Sequence, residues 1–114
     1  MKKESAKFQF EKEIAWETPD KGVKRQIMAY NDNIMMVKVK FEKGAAGSVH
    51  SHPHAQATYV VSGVFEFTND GEKQIVKSGD GVYIKPDALH GCVCIEEGTL
   101  IDTFNPIRED FIKK

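Results

Sequence analysis

From residue 31 onward the chain is a series of short runs separated by turn-forming residues. The runs hold three to eight residues, and most are rich in β-branched or aromatic side chains and too short for a helix. Segment 36–41, MVKVKF, alternates with a period of two, and Asp70-Gly71 is a hairpin turn signal. This regular spacing predicts an all-β domain, either a sandwich or a small barrel. The runs are IMMVKVKF, QATYVV, VFEF, KQIV, VYI, CVCI and TLIDTF, and the turns expected between them include Ser62-Gly63 and the EEG segment at 96–98.

The segment before residue 31 shows no convincing helix either. Its apolar residues, Phe8, Phe10, Ile14 and Trp16, stand at even spacing in a charged stretch. We expect an edge strand, laid on the domain or on a partner, that buries these four side chains. With 114 residues and no linker or repeat, the chain is a single domain. The expected organisation is an N-terminal strand or arm at 1–30 and a barrel at 31–114.

Charge and hydropathy exclude several classes of partner. Sixteen Lys and Arg residues balance seventeen Asp and Glu residues, and a net charge of -1 creates no basic field for nucleic acid or an anionic membrane. No apolar run approaches the roughly 20 residues of a membrane span, so a cytoplasmic location is expected. Cys92 and Cys94 are too far apart on a strand for an easy disulfide, and two free thiols suit a reducing compartment.

Three histidines alternate in segment 49–56, VHSHPHAQ, and are followed by a glutamine. On a strand all four side chains would project from one face. Imidazole nitrogens suit zinc, nickel, iron, copper or manganese, an amide oxygen can complete such a site, and His90 could close it from a neighbouring strand. The alternative is an exposed loop, since Pro53 interrupts the segment. The four alternating residues are His50, His52, His54 and Gln56.

The histidine segment resembles the first cupin motif, G-x(5)-H-x-H-x(3,4)-E-x(6)-G. Gly44 is followed by five residues and then by His50 and His52, three more lead to Gln56, and six more lead to Gly63. A register shifted by two residues loses both the fourth ligand and the final glycine. His54 is therefore left outside the motif, free to contact substrate or to stay exposed.

A second segment, GDGVYIKPDALHGCVC, looks like the second cupin motif, G-x(5)-P-x(4)-H-x(3)-N. Gly79 and His90 match, whereas Lys85 stands one place before Pro86, and Cys94 replaces the usual asparagine. The two motifs together imply a single-domain cupin, an all-β double-stranded barrel or jelly roll with a metal in its mouth.

The cupin resemblance also implies the cofactor, one divalent transition metal ion, either nickel, zinc, iron or manganese. Many cupins supply a glutamate where this chain has Gln56. A neutral amide leaves the ion its full charge, which makes it a stronger Lewis acid but holds it less tightly. The implied metal ligands are His50, His52, Gln56 and His90.

From about Gly22 to Phe111 the chain is still more similar to the KdgF family of pectin-degradation cupins. The stretches AYNDNIMMVKVKFEKGAAGSVHSHPH, YVVSGVFEF and LIDTFNPIREDF carry this resemblance, with Ala55 in place of a usual glutamate. The resemblance implies linearisation of the cyclic 4,5-unsaturated uronates released from pectin or alginate, giving 5-keto-4-deoxyuronate. The implied partner is a small acidic sugar.

The tail supplies the candidate catalytic residues. Asp102 and Phe104 share strand parity, so a carboxylate and an aromatic ring can enter the barrel together. We expect Asp102 as general base and acid, Phe104 as a wall against the sugar, and Arg108 as a clamp for its carboxylate. The family pattern points to the same positions. The ordinary alternatives are a turn residue, a core ring and a surface partner of Glu109 or Asp110.

Two other functions stay open from the sequence. Three histidines also suit a different metal-dependent cupin enzyme, a dioxygenase or an isomerase. A non-catalytic sugar-binding cupin is the other alternative, to which the loss at Ala55 adds weight. Exposed strand edges and the apolar N-terminal stretch favour a homodimer in either case.

Overall fold

The computed structural model describes residues 2–112, which form eight strands, one 3₁₀ turn at Glu11–Glu13 and one short helix. All strand pairs are antiparallel, so the all-β prediction is confirmed. No helix in this part of the chain is long and apolar enough to cross a bilayer. The elements are β1 Glu17–Asp20, β2 Val23–Asn31, β3 Ile34–Phe41, β4 Ala46–His50, β5 Ala55–Asn69, β6 Glu72–Lys77, β7 Gly81–Ile84, β8 His90–Asn105 and α1 Glu109–Ile112.

Two long strands, β5 and β8, run through the whole barrel and pair with each other along their length. Each changes its outer neighbour halfway. The first half of β5 pairs with β7 and the second with β6, while β8 pairs first with β4 and then with β3. The two strands thus belong to both walls of a double-layered barrel.

The turns expected at Ser62-Gly63 and at 96–98 are wrong, because β5 and β8 continue through both positions with shifted register. The backbones cross closely here. A Cβ on Gly98 would lie 2.0 Å from the carbonyl oxygen of Ser62, and one on Gly63 would lie 2.6 Å from that of Glu97. Glycine therefore allows two walls to meet at a bend without ending either strand.

The interior is filled from alternate residues of β3, as the period of two predicts. The inward residues pack with Phe65, whose ring stands edge-on to Phe41 at 5.2 Å between centroids. Their burial holds β3 with its apolar face toward the cavity described below. The inward residues of β3 are Met35, Val37, Val39 and Phe41.

The N-terminal arm differs from its expected form. Between residues 2 and 16 no strand of the sheet forms, and Phe8 and Phe10 stay 76% and 56% exposed. The arm is fastened instead by the fully buried Gln26, whose Nε2 donates to the carbonyl oxygens of Glu11 at 2.8 Å and Ile14 at 2.9 Å. The edge strand that should bury the aromatic residues is therefore wrong for the single chain.

Residues 17–31 belong to the barrel sheet. Strand β2 pairs with β3 from Val23 opposite Phe41 to Asn31 opposite Ile34, and β1 adds a short edge to β2. The division expected between residues 30 and 31 falls at the end of β2, inside this continuous pairing.

Candidate metal centre and active site

Three histidine side chains meet in the mouth of the barrel. His50 ends β4 and lies opposite His90, which begins β8. His52 does not lie on the same strand, as the alternation predicts, because the chain leaves the sheet after His50 and returns only at Ala55, with Pro53 in between. The loop nevertheless turns His52 inward, and one ring nitrogen of each histidine lies within 4.8 Å of the other two.

Backbone carbonyls decide which nitrogen of each ring is free. A carbonyl oxygen only accepts a hydrogen bond, so the Nδ1 atom facing it carries the hydrogen and Nε2 keeps its lone pair. His90 illustrates the result, since its Nε2 is buried without a hydrogen-bond partner. The contacts are His50 Nδ1 to Ser48 O at 2.7 Å, His52 Nδ1 to His54 O at 3.2 Å, and His90 Nδ1 to Ala88 O at 2.9 Å.

Gln56 brings a fourth donor atom to this cluster. Its Oε1 lies 2.9 Å from Nε2 of His52. Burial lowers the pKa of both His52 and His90, which favours neutral rings. A neutral His52 with its hydrogen on Nδ1 then turns a lone pair toward the amide oxygen.

Two lone pairs in contact are unfavourable unless a cation lies between them. Two atoms that bind one ion at about 2.1 Å can stand at most about 4.2 Å apart, and the 2.9 Å between His52 Nε2 and Gln56 Oε1 lies within that limit. Three converging imidazoles, one with a buried, unpartnered nitrogen, therefore fit a divalent metal ion. The exact ligand set of His50, His52, His90 and Gln56 stays a prediction.

A cavity of about 260 Å³ opens beside the histidine cluster. Its size suits a ligand smaller than a typical drug molecule. The predicted tail residues line the same space as His50 and His90, together with apolar residues of β3, the strand that pairs with this part of β8. The tail residues in the lining are Asp102, Phe104 and Arg108.

Asp102 is a half-buried carboxyl in the cavity wall, opposite Thr58 in the pairing of β8 with β5. The hydroxyl of Thr58 donates to Asp102 Oδ1 at 2.7 Å. Burial raises the pKa of Asp102 to about 6, although hydrogen bonds from Thr58 and Gln56 and the charge of Arg108 act in the opposite direction. A carboxyl with this pKa can both take up and release a proton near neutral pH.

Arg108 lies between β8 and α1 with its side chain only 11% exposed. Its Nε and Nη2 donate to the two carboxylate oxygens of Asp110 at 3.1 and 3.0 Å. Its guanidinium carbon also stands 5.0 Å from the ring centre of Phe104 and 4.2 Å from that of Phe111. Arg108 is therefore both a partner of Asp110 and a cavity residue, and its remaining N–H groups are available to an anion.

His54 has a contact that the sequence left open. Its Nε2 lies 3.0 Å from the carbonyl oxygen of Ile107, where it can donate a hydrogen bond. The side chain therefore ties the loop of His52 to the tail that carries Arg108, and its Nδ1 is buried without a partner. His54 is not part of the three-histidine cluster.

Sequence reasoning missed two residues around the cavity. Thr58 follows Gln56 by two residues on the same strand face, which is the one signal that could have indicated it. Arg25 on β2 lines the cavity with its guanidinium 3.9 Å from the ring centre of Phe111, and nothing in its charged neighbourhood marks it. Cys92 also lines the cavity, and burial raises the pKa of its thiol to about 12.

The fold and the site define a class. The family model described as the cupin domain matches residues 37–102, and the chain belongs to the cupin superfamily. Within it the chain belongs to the KdgF family, since it is 47% identical over 102 residues to the pectin degradation protein KdgF of Dickeya dadantii, a match that covers 88% of this chain and 93% of the relative.

Solved structures agree with this assignment. An RmlC-like cupin from Shewanella frigidimarina is 44% identical and superposes with a TM-score of 0.92, over 95% of this chain and 97% of that one. KdgF from Halomonas sp. is 37% identical with a TM-score of 0.89, over 94% and 99% of the two chains. The cupin prediction is therefore confirmed along nearly the whole length.

Proposed function

We propose that this protein linearises cyclic 4,5-unsaturated uronates from pectin or alginate breakdown to 5-keto-4-deoxyuronate, with one divalent metal ion as cofactor. The observation that carries the proposal is the composition of one cavity. A histidine cluster, the Asp102 carboxyl and the Arg108 guanidinium surround a space of about 260 Å³. The relative from Dickeya dadantii, named a pectin degradation protein, adds a role in the same process.

Substrate binding follows from the charges and the aromatic ring in the cavity. Arg108 pairs through its free N–H groups with the planar carboxylate of the uronate. The ring of Phe104, which is buried against His52 and Arg108, packs against a face of the sugar. Arg25 adds a second guanidinium to the lining of the cavity, where its Nε pairs with Glu17 at 2.8 Å.

The reaction is an isomerisation that needs a proton moved between oxygen and carbon. Asp102 accepts the proton of the C1 hydroxyl while the bond between C1 and the ring oxygen breaks, leaving an aldehyde and an enolate at C5. Asp102 then returns the proton to C4, and the enolate becomes the 5-ketone. A carboxyl with a pKa of about 6 is suited to both steps. A divalent ion bound by His50, His52, His90 and Gln56 would polarise the substrate oxygens as a Lewis acid.

The proposal is tested by following the ultraviolet absorbance of unsaturated galacturonate. Metal-loaded protein should speed the loss of absorbance, and a chelator should abolish the acceleration. Asp102→Asn, which removes the proton acceptor and keeps the shape, should lower kcat by about 100-fold or more. Arg108→Lys keeps the positive charge but loses the planar pair of N–H donors that binds a carboxylate, and it should raise KM more than it lowers kcat.

The matched control is Asp80→Asn, which removes an exposed carboxylate in the turn between β6 and β7, outside the lining of the cavity. It should retain the wild-type rate. A metal-loaded wild-type protein that leaves the absorbance decay at the buffer rate would refute the proposed function.

A further inference from the structure

Two hydrogen bonds and one close contact join the histidine cluster to Asp102 through buried polar side chains. Gln56 Oε1 lies 2.9 Å from His52 Nε2, and Gln56 Nε2 donates to Thr58 Oγ1 at 2.9 Å. Thr58 Oγ1 in turn donates to Asp102 Oδ1 at 2.7 Å. Thr58 is 3% exposed and Gln56 is 6% exposed, so water does not compete for these bonds.

The direction of the bonds is set by the single hydrogen of the Thr58 hydroxyl. A carboxylate only accepts, so Thr58 uses this hydrogen on Asp102. Its oxygen can then only accept from its other neighbour, which requires the NH₂ group of Gln56 at that position. The amide oxygen of Gln56 must consequently face His52 and the cluster.

The orientation matters because the two ends of an amide differ as ligands. An amide oxygen binds a divalent cation, whereas the NH₂ group has no lone pair to offer. A glutamate needs no such control, since both of its oxygens can bind. Having a glutamine at this position creates a need for a residue that holds the amide in one orientation.

We propose that Thr58 is a positioning residue, which orients the Gln56 amide toward the metal and holds the Asp102 carboxylate in the cavity wall. The part concerning Asp102 rests on the proposed function. The part concerning Gln56 requires only that the site binds a metal, so the two can be tested separately.

The first test measures the affinity of the protein for Co²⁺ alone, by calorimetry and by the visible absorption of the bound ion. Thr58→Val removes the hydroxyl at nearly constant shape and should weaken Co²⁺ binding by about 10- to 100-fold, as expected when a group that supports a metal ligand is lost. Thr58→Ser restores the hydroxyl and should restore most of the affinity and the spectrum. Thr103→Val is the control, because Thr103 neighbours Asp102 on β8 and faces the opposite side.

Repeating Thr58→Val in a Gln56→Glu variant separates the orientation of the side chain at position 56 from the packing around Thr58. In Gln56→Glu the ligand has oxygens at both ends, so adding Thr58→Val should change Co²⁺ affinity far less than it does beside glutamine. Equal losses in the two backgrounds, equal losses in Thr58→Val and Thr58→Ser, or wild-type affinity in Thr58→Val would each overturn the assignment.

The third test uses the wild-type protein and does not depend on any variant folding. With diamagnetic Zn²⁺ bound, the side-chain NH₂ protons of Gln56 should show nuclear Overhauser effects to the methyl group of Thr58. Their absence, with both groups assigned, would overturn the proposal. A protein that passes these tests and leaves unsaturated uronate unchanged would refute the proposed function and leave the orientation of Gln56 by Thr58 standing.

Discussion

Replacing Asp102 by asparagine should change how the stability of the metal-free protein depends on pH. The pKa of Asp102 is raised from its ordinary 3.8 to about 6, chiefly by burial. Between these two values the folded protein holds a proton that the unfolded chain has released. Stability therefore falls as the pH rises through this window, and the contribution of the neutral carboxyl is fully present only below about pH 4.

The size of the effect follows from the rise in pKa. One pKa unit corresponds to about 1.4 kcal/mol, so a rise from 3.8 to about 6 corresponds to about 3 kcal/mol. Asp102→Asn is neutral at every pH and loses this dependence. The free energy of unfolding of wild type, relative to the variant, should consequently drop by about 3 kcal/mol between pH 3.5 and pH 7.5.

The assay is urea unfolding of both proteins in chelator at several pH values. The lowered pKa values of His52 and His90 act in the opposite direction, with stability lost as pH falls, but they are common to both proteins and largely cancel in the difference. Asp80→Asn controls for the loss of a surface carboxylate. If the difference in free energy of unfolding between wild type and Asp102→Asn stays constant from pH 3.5 to pH 7.5, burial does not raise the pKa of this carboxyl.

Three further outcomes follow from the fold. Gly98→Ala should lower the free energy of unfolding, measured with denaturant, by about 3 kcal/mol or more, because its Cβ would lie 2.0 Å from the carbonyl oxygen of Ser62. A loss under about 1 kcal/mol would contradict this close crossing. Cys92, with a pKa of about 12, should resist iodoacetamide at pH 8 in the folded protein and react once urea unfolds it, as mass spectrometry would show. We expect the protein to sediment as a homodimer. Changing both Phe8 and Phe10 to serine should shift it toward the monomer, because these two rings are exposed on the single chain. An unchanged sedimentation coefficient would argue against the arm as an interface.

Features that depend on neighbours in the sequence could be predicted well. The alternation of β3 gives its buried face correctly, and the Asp70-Gly71 hairpin has positive φ angles of 53° and 86° at its two turn residues. Both depend on local backbone preference and on the period of two. The two cupin motifs likewise indicated the three histidines that the structure brings together.

Features that depend on a distant strand could not be predicted in the same way. Gly63 and Gly98 look like turn residues in sequence, yet each permits a close crossing with the other long strand, which only the pairing of β5 with β8 reveals. The role of Thr58 depends on Asp102, 44 residues away. No local pattern contains that separation, so sequence reasoning missed the residue that joins the histidine cluster to the carboxyl.

The most direct test of the proposed activity is to identify the product by carbon-13 NMR. Unsaturated galacturonate should be incubated with protein loaded with one equivalent of metal, and in parallel with His90→Ala, which loses a buried nitrogen of the cluster. We expect the two alkene carbon signals to be replaced by a ketone carbon and a methylene carbon with the wild-type protein only. If the alkene signals disappear no faster than in the spontaneous reaction, with metal demonstrably bound, the account is contradicted.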